Sequence, residues 1–370
     1  MKETNVLRRA EQVSLTLRGI YEQFGYRRFR VSKFEEYDFY ATYRSFLQTE
    51  SILTFHDLNG KLMALKPDVT LSIIKNAPQA PKRPERVYYS EAVYRAAKGA
   101  RTFAEMQQLG LEFVGEVDRY ALVEVLLLAD KSMAAMGGPY TLDLSHVGLL
   151  ECLLGEAGLS GRAREGCYEA VFSKNLQRLE ELLASSPAAV RQALLALVSA
   201  YGPANEVLKS LQGLCFAGAA QAEFEALCGL CAALGAAGVG LHLDFTLRYD
   251  PSYYSGVIFQ GYLPRVQGCV LSGGQYDGLL QRFGKSGGAV GFAVYLGLLE
   301  EQYAEERPYD VDTLLLYSES TGMAELLSAV RVLTAEGKSV CVQKTDDGTV
   351  RCRQVATISE GRLTSVVRVD

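Results

Sequence analysis

The chain has 370 residues, of which 48% are hydrophobic and 22% charged, so a packed core is expected and wholesale disorder is excluded. Its net charge of −5 at pH 7 argues against a dedicated nucleic-acid binder, which usually carries a basic balance. No apolar stretch reaches the roughly 18 residues of a membrane helix, and the polar N-terminus lacks the apolar core of a signal peptide. The eight scattered cysteines are typical of reduced thiols. We therefore expect a soluble cytoplasmic protein with about two to three domains.

Residues 1–147 predict helices that flank hairpin-forming strands. Apolar residues at spacings of three and four predict an amphipathic helix over 5–24, ended by Gly25. Asn59-Gly60 lies between two short apolar runs, which is the strongest local signal for a hairpin. The next predicted elements are a helix over 68–76, a strand over 86–94, a strand ending at Gly115, and a helix capped by Asp118 and ending at Met136.

The composition changes near residue 148. Residues 148–239 are rich in Ala and Leu at helical spacing, and they predict an all-helical insertion. Strands return after residue 240, and helices are predicted over 277–283 and 290–303. Residues 307–370 predict a small α/β unit with one helix between strands.

The usual catalytic and metal-site patterns do not fit this sequence. The three histidines are far apart, and Cys228 and Cys231 form a single Cys-x-x-Cys pair, whereas a structural zinc site takes four ligands. Gly284-Lys285-Ser286 resembles the end of a phosphate-binding loop, but the preceding glycine has the wrong spacing. We expect no metal, no cofactor and no catalytic residue of these standard types.

Polar residues instead occupy strand and turn positions that usually favour apolar ones. Gln108, Gly110 and Glu112 alternate with apolar residues, which places them on one face of a strand. An unpaired buried carboxylate is costly, so Glu112 is the most informative of them. Similar polar segments are 66–70, 253–256 and 272–278. An exposed sheet face or a turn is the alternative explanation for each.

The order of these segments resembles class II aminoacyl-tRNA synthetase catalytic domains, and most closely the histidyl-tRNA synthetase family. Leu65-Lys66-Pro67-Asp68-Val69-Thr70 is similar to the family's Leu-Arg-Pro-Glu-x-Thr, and 86–115 to its motif 2 hairpin. Tyr253-Tyr254 and 272–279 resemble the two histidine-specific motifs, and Gly291 begins the motif 3 segment. The resemblance implies an α+β fold: an antiparallel sheet with flanking helices over 1–147 and 240–303, a helical insertion over 148–239, and a small C-terminal α/β domain over 307–370.

Several positions depart from the synthetase pattern. The family has Phe-Arg-x-Glu in motif 2 and Gly-Leu-Glu-Arg-Leu in motif 3, and cationic side chains there stabilise charge on the ATP phosphate. Arg95 retains the first arginine. Ala97 replaces the motif 2 glutamate, and Gly297 and Leu298 replace the motif 3 glutamate and arginine. Tyr249, next to Arg248, occupies the position of the histidine-specific arginine. Ser32 replaces the motif 1 proline, and Lys66 replaces the arginine of Leu-Arg-Pro. Since each lost donor typically costs about 2.7–4 kcal/mol, the resemblance implies negligible adenylation.

The amino-acid-binding positions of the family are better retained. The resemblance implies that Asp68 and Gln108 hold the α-amino group of histidine and that Glu112 and Tyr254 contact its imidazole. The full predicted histidine-binding set is Asp68, Thr70, Gln108, Glu112, Tyr253, Tyr254 and Tyr276.

This combination is similar to the family of ATP phosphoribosyltransferase regulatory subunits, which are related to the synthetases. The resemblance implies a non-catalytic subunit that activates a short catalytic subunit in the first step of histidine biosynthesis and mediates feedback by histidine. It also implies a homodimer within a hetero-oligomer, without tRNA or membrane binding.

Two other functions stay open from the sequence. An active histidyl-tRNA synthetase requires replacements for the lost motif 3 residues. A stand-alone amino-acid- or tRNA-binding module is the other alternative, with a basic face formed by the arginines at 8, 9, 18, 27, 28 and 30. The same arginines are also explained as a solvated surface of the first helix and strand.

Overall fold

The computed structural model describes residues 9–47, 51–79, 83–96, 102–214, 216–302, 309–359 and 362–367. The described chain forms two compact units, one from Arg9 to Glu300 and one within the residues that follow.

The first unit begins with the elements that surround its long hairpin. They are α1 (Arg9–Gln23), β1 (Arg27–Arg28), β2 (Phe34–Glu36), α2 (Tyr37–Thr42), a 3-10 helix (Arg44–Phe46), β3 (Thr54–His56), β4 (Leu62–Leu65), α3 (Thr70–Asn76), β5 (Glu85–Ala96), β6 (Phe103–Gly115) and α4 (Arg119–Met136). The predicted hairpin at Asn59-Gly60 is confirmed, since β3 and β4 pair antiparallel around it. Asp118 caps α4 as predicted, because its Oδ1 accepts a hydrogen bond of 2.8 Å from the Ala121 amide.

The middle of the unit is mostly helical. Its elements are β7 (Thr141–His146), α5 (Val147–Glu156), α6 (Gly161–Phe172), α7 (Leu176–Leu182), α8 (Ala188–Ser199), β8 (Tyr201–Pro203), α9 (Ala204–Leu211), α10 (Gly218–Ala236) and β9 (His242–Asp244). The expectation that 148–239 is entirely helical is wrong at β8. This short strand forms because Tyr201, Gly202 and Pro203 pair with β9, a tertiary contact without a local sequence signal.

The remaining elements of the unit complete its large sheet. They are β10 (Val257–Tyr262), β11 (Leu271–Gln275), α11 (Asp277–Arg282), β12 (Gly288–Tyr295) and α12 (Leu296–Gln302). The predicted helix over 290–303 is wrong in its first half. Residues 288–295 form a strand that lies between β6 and β11 in the sheet. Because both faces of this strand are buried, its apolar residues show neither the period of a helix nor the alternation of a half-exposed strand.

Nine strands of the described chain form this sheet, in the order β1-β5-β6-β12-β11-β10-β7-β9-β8. The pairs β1–β5 and β7–β9 are parallel, and the other neighbours are antiparallel. A smaller sheet has the order β2-β4-β3. One core cluster packs between helices α3 and α11 and the long hairpin, and it includes Leu71, Val87, Tyr89, Tyr276 and Leu279.

The second unit is a small α/β structure. It contains β13 (Val311–Leu316), α13 (Met323–Ala335), β14 (Val340–Gln343), β15 (Cys352–Ser359) and β16 (Arg362–Val367), with the sheet order β14-β13-β15-β16. Leu315, Leu326, Leu333 and Ala356 are buried together and form its core. The single predicted helix between strands matches α13.

Candidate histidine-binding site

Strand β6 carries the polar row that the sequence predicted. Side chains alternate along a strand, so Gln108, Gly110 and Glu112 share one face, and all three are buried. In the antiparallel register, Tyr89 of β5 lies opposite Gly110, and Gly291 of β12 lies opposite Glu112. Large side chains therefore face glycines across the strands.

These glycines make room for the polar side chains. A Cβ added to Gly110 would lie 2.6 Å from the Tyr89 hydroxyl, and one added to Gly291 would overlap a carboxylate oxygen of Glu112. On β11, a Cβ at Gly274 would lie 2.7 Å from the Tyr254 ring. Removing the Cβ at these positions opens a concave region on this face of the sheet.

The concave region is partly open to solvent, and we call it the sheet cavity. It brings together all seven predicted histidine-binding residues, namely Asp68, Thr70, Gln108, Glu112, Tyr253, Tyr254 and Tyr276. Its other lining residues are Tyr89, Arg95, Ser272, Gly273, Gly274, Gly291, Phe292, Ala293 and Tyr295.

Glu112 is the buried acid of the sheet cavity, with 2% of its surface exposed. The Thr70 hydroxyl donates a hydrogen bond of 2.8 Å to Oε1, and the Tyr276 hydroxyl donates to Oε2. Burial raises the pKa of Glu112 to about 8, while these two hydrogen bonds lower it. The carboxyl group is therefore protonated for much of the time near neutral pH, and it can exchange a proton with a ligand.

Asp68 and Arg95 form the charged pair of the sheet cavity. Asp68 precedes α3, where its Oδ1 accepts a hydrogen bond of 2.8 Å from the Leu71 amide, and its Oδ2 lies 3.5 Å from Nη2 of Arg95. Arg95 Nε donates a hydrogen bond of 2.6 Å to the carbonyl of Pro67. Burial raises the pKa of Asp68, and the Arg95 guanidinium opposes that shift.

Three tyrosines form the aromatic wall. The Tyr253 ring lies 4.7 Å from the Tyr254 ring and 5.5 Å from the Tyr276 ring, measured between centroids. Tyr276 is 2% exposed, whereas Tyr253 and Tyr254 are half-buried. Aromatic faces next to a carboxyl group suit a flat, polar ring such as an imidazole.

Comparisons with known proteins identify the family of this chain. A model of the histidyl-tRNA synthetase family matches residues 4–299. An ATP phosphoribosyltransferase regulatory subunit from Moorella thermoacetica is 30% identical over 362 residues, covering 96% of this chain and 91% of that protein. The chain belongs to the ATP phosphoribosyltransferase regulatory subunit family.

Solved structures confirm the predicted α+β, class II synthetase-like fold. An ATP phosphoribosyltransferase regulatory subunit/histidyl-tRNA synthetase from Bacillus halodurans has a TM-score of 0.75 at 24% identity, over 94% of this chain and 93% of that one. An ATP phosphoribosyl transferase (HisG:HisZ) complex from Thermotoga maritima contains a chain with a TM-score of 0.60 at 22% identity, over 76% of this chain and 96% of that one.

The positions at which this family member departs from the synthetase pattern have other partners. The Tyr249 hydroxyl donates a hydrogen bond of 3.2 Å to Glu151, and Arg248 forms an exposed ion pair with Glu169 at 3.0 Å. Neither residue lines the sheet cavity. Lys66 is fully buried and forms an ion pair of 2.6 Å with Glu91.

Two further departures lie in α12. Gly297 is exposed and Leu298 half-buried, and neither lines the sheet cavity. Ala97 lies outside the described residues.

Some lining residues were not assigned a role from the sequence, chiefly Tyr89, Phe292, Ala293 and Tyr295. The signal that identifies three of them is register. Gly110 of β6 lies between Tyr89 of β5 and Ala293 of β12, and Gln108 of β6 lies opposite Tyr295 of β12. Once the register of these three strands is known, it places the three residues on the same face as the predicted polar row.

The phosphate-loop-like segment and the Cys-x-x-Cys pair noted in the sequence have structural roles in the described chain. Lys285 donates hydrogen bonds to the carbonyls of Ile74, Lys75 and Ala77, so it caps the end of α3. Cys228 and Cys231 lie in α10, and no group of three or more potential metal ligands occurs among the described residues. None of the described helices combines the length and apolar character needed to cross a bilayer.

The arginines near the N-terminus are partly engaged within the chain. Arg9 donates a hydrogen bond of 3.3 Å to the Met136 carbonyl, and Arg18 one of 3.0 Å to Ser90. Arg27 forms an ion pair with Glu85. These contacts give the three arginines a role in packing the first helix and strand against the sheet.

Proposed function

We propose that the chain is a non-catalytic regulatory subunit of ATP phosphoribosyltransferase and that it binds histidine in the sheet cavity. Family membership supports the regulatory role. The Thermotoga maritima complex, named for two components, supports a separate catalytic subunit as the partner. In this proposal the chain activates a short catalytic subunit in the first step of histidine biosynthesis, and histidine reverses that activation.

The observation that carries the proposal is the composition of the cavity wall. The wall combines amino-acid-binding positions with Arg95, the one residue with a permanent positive charge among its described members. Enzymes that activate or transfer phosphates use several cationic groups to stabilise the transition state. One cation with two acids suits an amino acid instead.

Feedback requires that histidine prefers one state of the assembly. A ligand shifts a two-state equilibrium only by its difference in affinity for the two states. We propose that histidine binds the inactive form of the hetero-oligomer more tightly than the active form. If the catalytic subunit's substrates bind the active form more tightly, they weaken histidine binding by the same factor by which histidine weakens substrate binding.

The test is reconstitution with the short catalytic subunit from the same organism. Product formation should require this chain and should fall when histidine is added. A Glu112→Ala variant should still activate the catalytic subunit but should lose the response to histidine. Absence of activation by a folded native pair would contradict the proposal, and histidine-dependent ATP–pyrophosphate exchange by this chain alone would favour an active synthetase.

We also propose a division of labour along the chain. Residues 1–147 and 240–303 form the histidine-binding and dimerising core, while 148–239 and 307–370 are additions to it. A homodimer within the hetero-oligomer is expected. Light scattering on the chain alone and on the complex measures both masses.

A further inference from the structure

The loop that joins β9 to β10, residues 245–256, contacts two different parts of the first unit, and we call it the connecting loop. Its second half lines the sheet cavity through Tyr253 and Tyr254. Its first half contacts the helical insertion through Arg248 and Tyr249, neither of which lines the cavity. The loop therefore connects the cavity to the insertion over a few residues.

The middle of the connecting loop is a hydrogen-bonded turn. The Asp250 carbonyl accepts hydrogen bonds from the amides of Tyr253 and Tyr254, at 3.0 and 3.1 Å. The Asp250 side chain also accepts bonds of 2.8 and 2.7 Å from the amide and the hydroxyl of Ser252. Such a turn limits how far Tyr253 moves relative to Asp250. A displacement of the cavity tyrosines is therefore passed to the neighbouring Tyr249.

Glu151 of α5 is the residue of the insertion that Tyr249 contacts. Its Oε1 accepts hydrogen bonds from the hydroxyls of Tyr249, at 3.2 Å, and Tyr168, at 2.5 Å. Its Oε2 accepts a hydrogen bond of 2.6 Å from Arg164. We call these four residues the Glu151 cluster. Because Tyr168 and Arg164 belong to α6, one carboxylate joins two helices and the connecting loop.

Tyr249 forms the longest of these three hydrogen bonds. Bonds from a hydroxyl to a carboxylate are usually about 2.5–2.7 Å long, whereas the Tyr249 bond is 3.2 Å. The Tyr249 ring is buried and packs edge-to-face against Phe172 of α6, with 5.1 Å between centroids. A loop displacement of about 0.5 Å is enough to strengthen or release this bond. The bonds from α6 to Glu151 are not affected by such a displacement.

The other contact between the connecting loop and the insertion is weaker. Arg248 forms an ion pair of 3.0 Å with Glu169 of α6, and the two side chains are 64% and 66% exposed. Exposed ion pairs contribute little, because water and salt screen them. Coupling between the loop and the insertion therefore depends mainly on Tyr249.

We propose that the bond between Tyr249 and Glu151 transmits occupancy of the sheet cavity to the helical insertion. This inference rests on the proposed function, in which histidine binds beside Tyr253 and Tyr254. When the ligand fills the cavity, these two tyrosines adjust to it, the turn at Asp250 moves with them, and the bond to Glu151 changes. Helices α5 and α6 then carry the inhibitory signal, because they share the Glu151 carboxylate.

The proposal also explains the departure from the synthetase pattern at this position. The resemblance places a histidine-specific arginine where this chain has Tyr249. Here the side chain at that position contacts the insertion instead of the cavity. A ligand shifts a two-state equilibrium only by its difference in affinity for the two states. Histidine must therefore bind with different affinity when the Tyr249 bond is formed and when it is released.

The experiment removes the Tyr249 hydroxyl and measures histidine binding and histidine inhibition separately. Tyr249→Phe keeps the ring and its packing and loses only the bond to Glu151. Titration calorimetry should give a Kd for histidine within about threefold of wild type, because Tyr249 does not line the cavity. In the reconstituted complex, inhibition by saturating histidine should fall from at least about fivefold to less than about twofold. Activation without histidine should be unchanged.

Tyr140→Phe is the matched control. The Tyr140 hydroxyl also donates to a carboxylate, Oδ1 of Asp130 at 2.7 Å, but neither residue belongs to the connecting loop or the insertion. This variant should keep the wild-type Kd and the wild-type inhibition. Glu151→Gln should match Tyr249→Phe, and the double variant should lose no further inhibition, since both changes remove the same contact.

Three results would overturn the proposal. Full inhibition in Tyr249→Phe would mean that the signal takes another route, and a parallel loss of binding and inhibition would mean that Tyr249 only shapes the cavity. Loss of inhibition in Tyr140→Phe as well would mean that the effect is not specific to the Glu151 cluster. If the wild-type chain binds no histidine, or binds it without inhibiting the complex, the proposed function fails instead.

Hydrogen exchange on the chain alone gives a second readout that does not need the catalytic subunit. Histidine should change amide exchange in residues 147–172, which include α5 and α6, by at least about threefold in the wild type. The same change should be absent in Tyr249→Phe. Exchange that changes only in the strands of the cavity would contradict transmission to the insertion.

Discussion

Two buried acids lie on the same face of the large sheet but in different surroundings. Glu112 on β6 is in the sheet cavity. Asp143 on β7 belongs to a second group with Ser145, His242 and Asp244, which we call the edge cluster because β9 is next to the edge strand β8. Glu112 is 2% exposed and Asp143 6% exposed, and burial raises their pKa values to about 8 and about 6.

The two sites differ in how their acids are satisfied. Both oxygens of Glu112 accept hydrogen bonds from hydroxyl groups. Within the described chain, Oδ1 of Asp143 has no hydrogen-bond donor and lies 3.9 Å from Nδ1 of His242, and the hydroxyl of Ser145 is likewise unpartnered. Burial raises the pKa of both acids, and Glu112 lines the sheet cavity whereas Asp143 does not. We therefore expect ligand effects at the first site only, and pH-dependent stability effects at both sites, with the larger one at Glu112.

The largest expected effect is the pH dependence of stability due to Glu112. Its pKa is raised from 4.5 to about 8, so the folded state binds the proton more tightly, and stability is lost as pH rises from about 5 to 9. The free energy of unfolding should fall by up to about 4–5 kcal/mol from this group. Glu112→Gln, which mimics the protonated acid, should flatten the dependence. Chemical denaturation of both proteins at several pH values measures the free energy of unfolding. If the variant keeps the wild-type pH dependence, Glu112 is not the group that causes it.

The second prediction separates ligand binding from stability. Glu112→Ala should weaken histidine binding by about 100-fold or more, because the imidazole loses its buried partner. Asp143→Ala is the matched control and should change the affinity by less than about twofold, since it lies outside the sheet cavity. Titration calorimetry of both variants checks this. Comparable losses in the two would show that the edge cluster also contributes to binding.

The third prediction tests the role of the glycines. Gly291→Ala places a Cβ onto the Glu112 carboxylate, so we expect a loss of about 1–3 kcal/mol in stability together with weaker histidine binding. Gly297→Ala, which meets no neighbour within 4 Å on the nearby helix α12, should be neutral or slightly stabilising. Thermal unfolding and titration compare the pair. Equal behaviour of the two variants would mean that the sheet face tolerates extra volume.

Local signals made much of the fold predictable. Asn59-Gly60 and Asp118 act through neighbouring residues, so the hairpin and the cap could be predicted correctly. Strands β8 and β12 could not, because β8 depends on pairing with β9 and β12 is covered on both faces. Short apolar segments of this kind carry no period that separates helix from strand.

The candidate site shows the same limit. The resemblance predicted the seven residues that the sheet cavity brings together, because they lie in motifs of recognisable order. It did not predict that Tyr89 and Tyr295 line the same wall, since strand register decides which residues on β5 and β12 face β6. The contact between Asp68 and Arg95 also depends on tertiary structure, because the β5 strand must return to the start of α3.

The smallest expected effect concerns the edge cluster. Burial is the main cause that raises the pKa of Asp143, and the nearby Asp244 raises it further, while His242 and Lys174 lower this pKa. Because the pKa is raised from 3.8 to about 6, stability is lost as pH rises from about 4 to 6, and the charged acid destabilises the fold above that range. Asp143→Asn should therefore add about 1 kcal/mol of stability at pH 8 and little at pH 4. Denaturation at the two pH values distinguishes this from a structural loss, which would appear at both. A destabilised variant at pH 8 would instead mean that the Asp143 charge is needed by His242 and Lys174, and that the edge cluster is a compensated ion network.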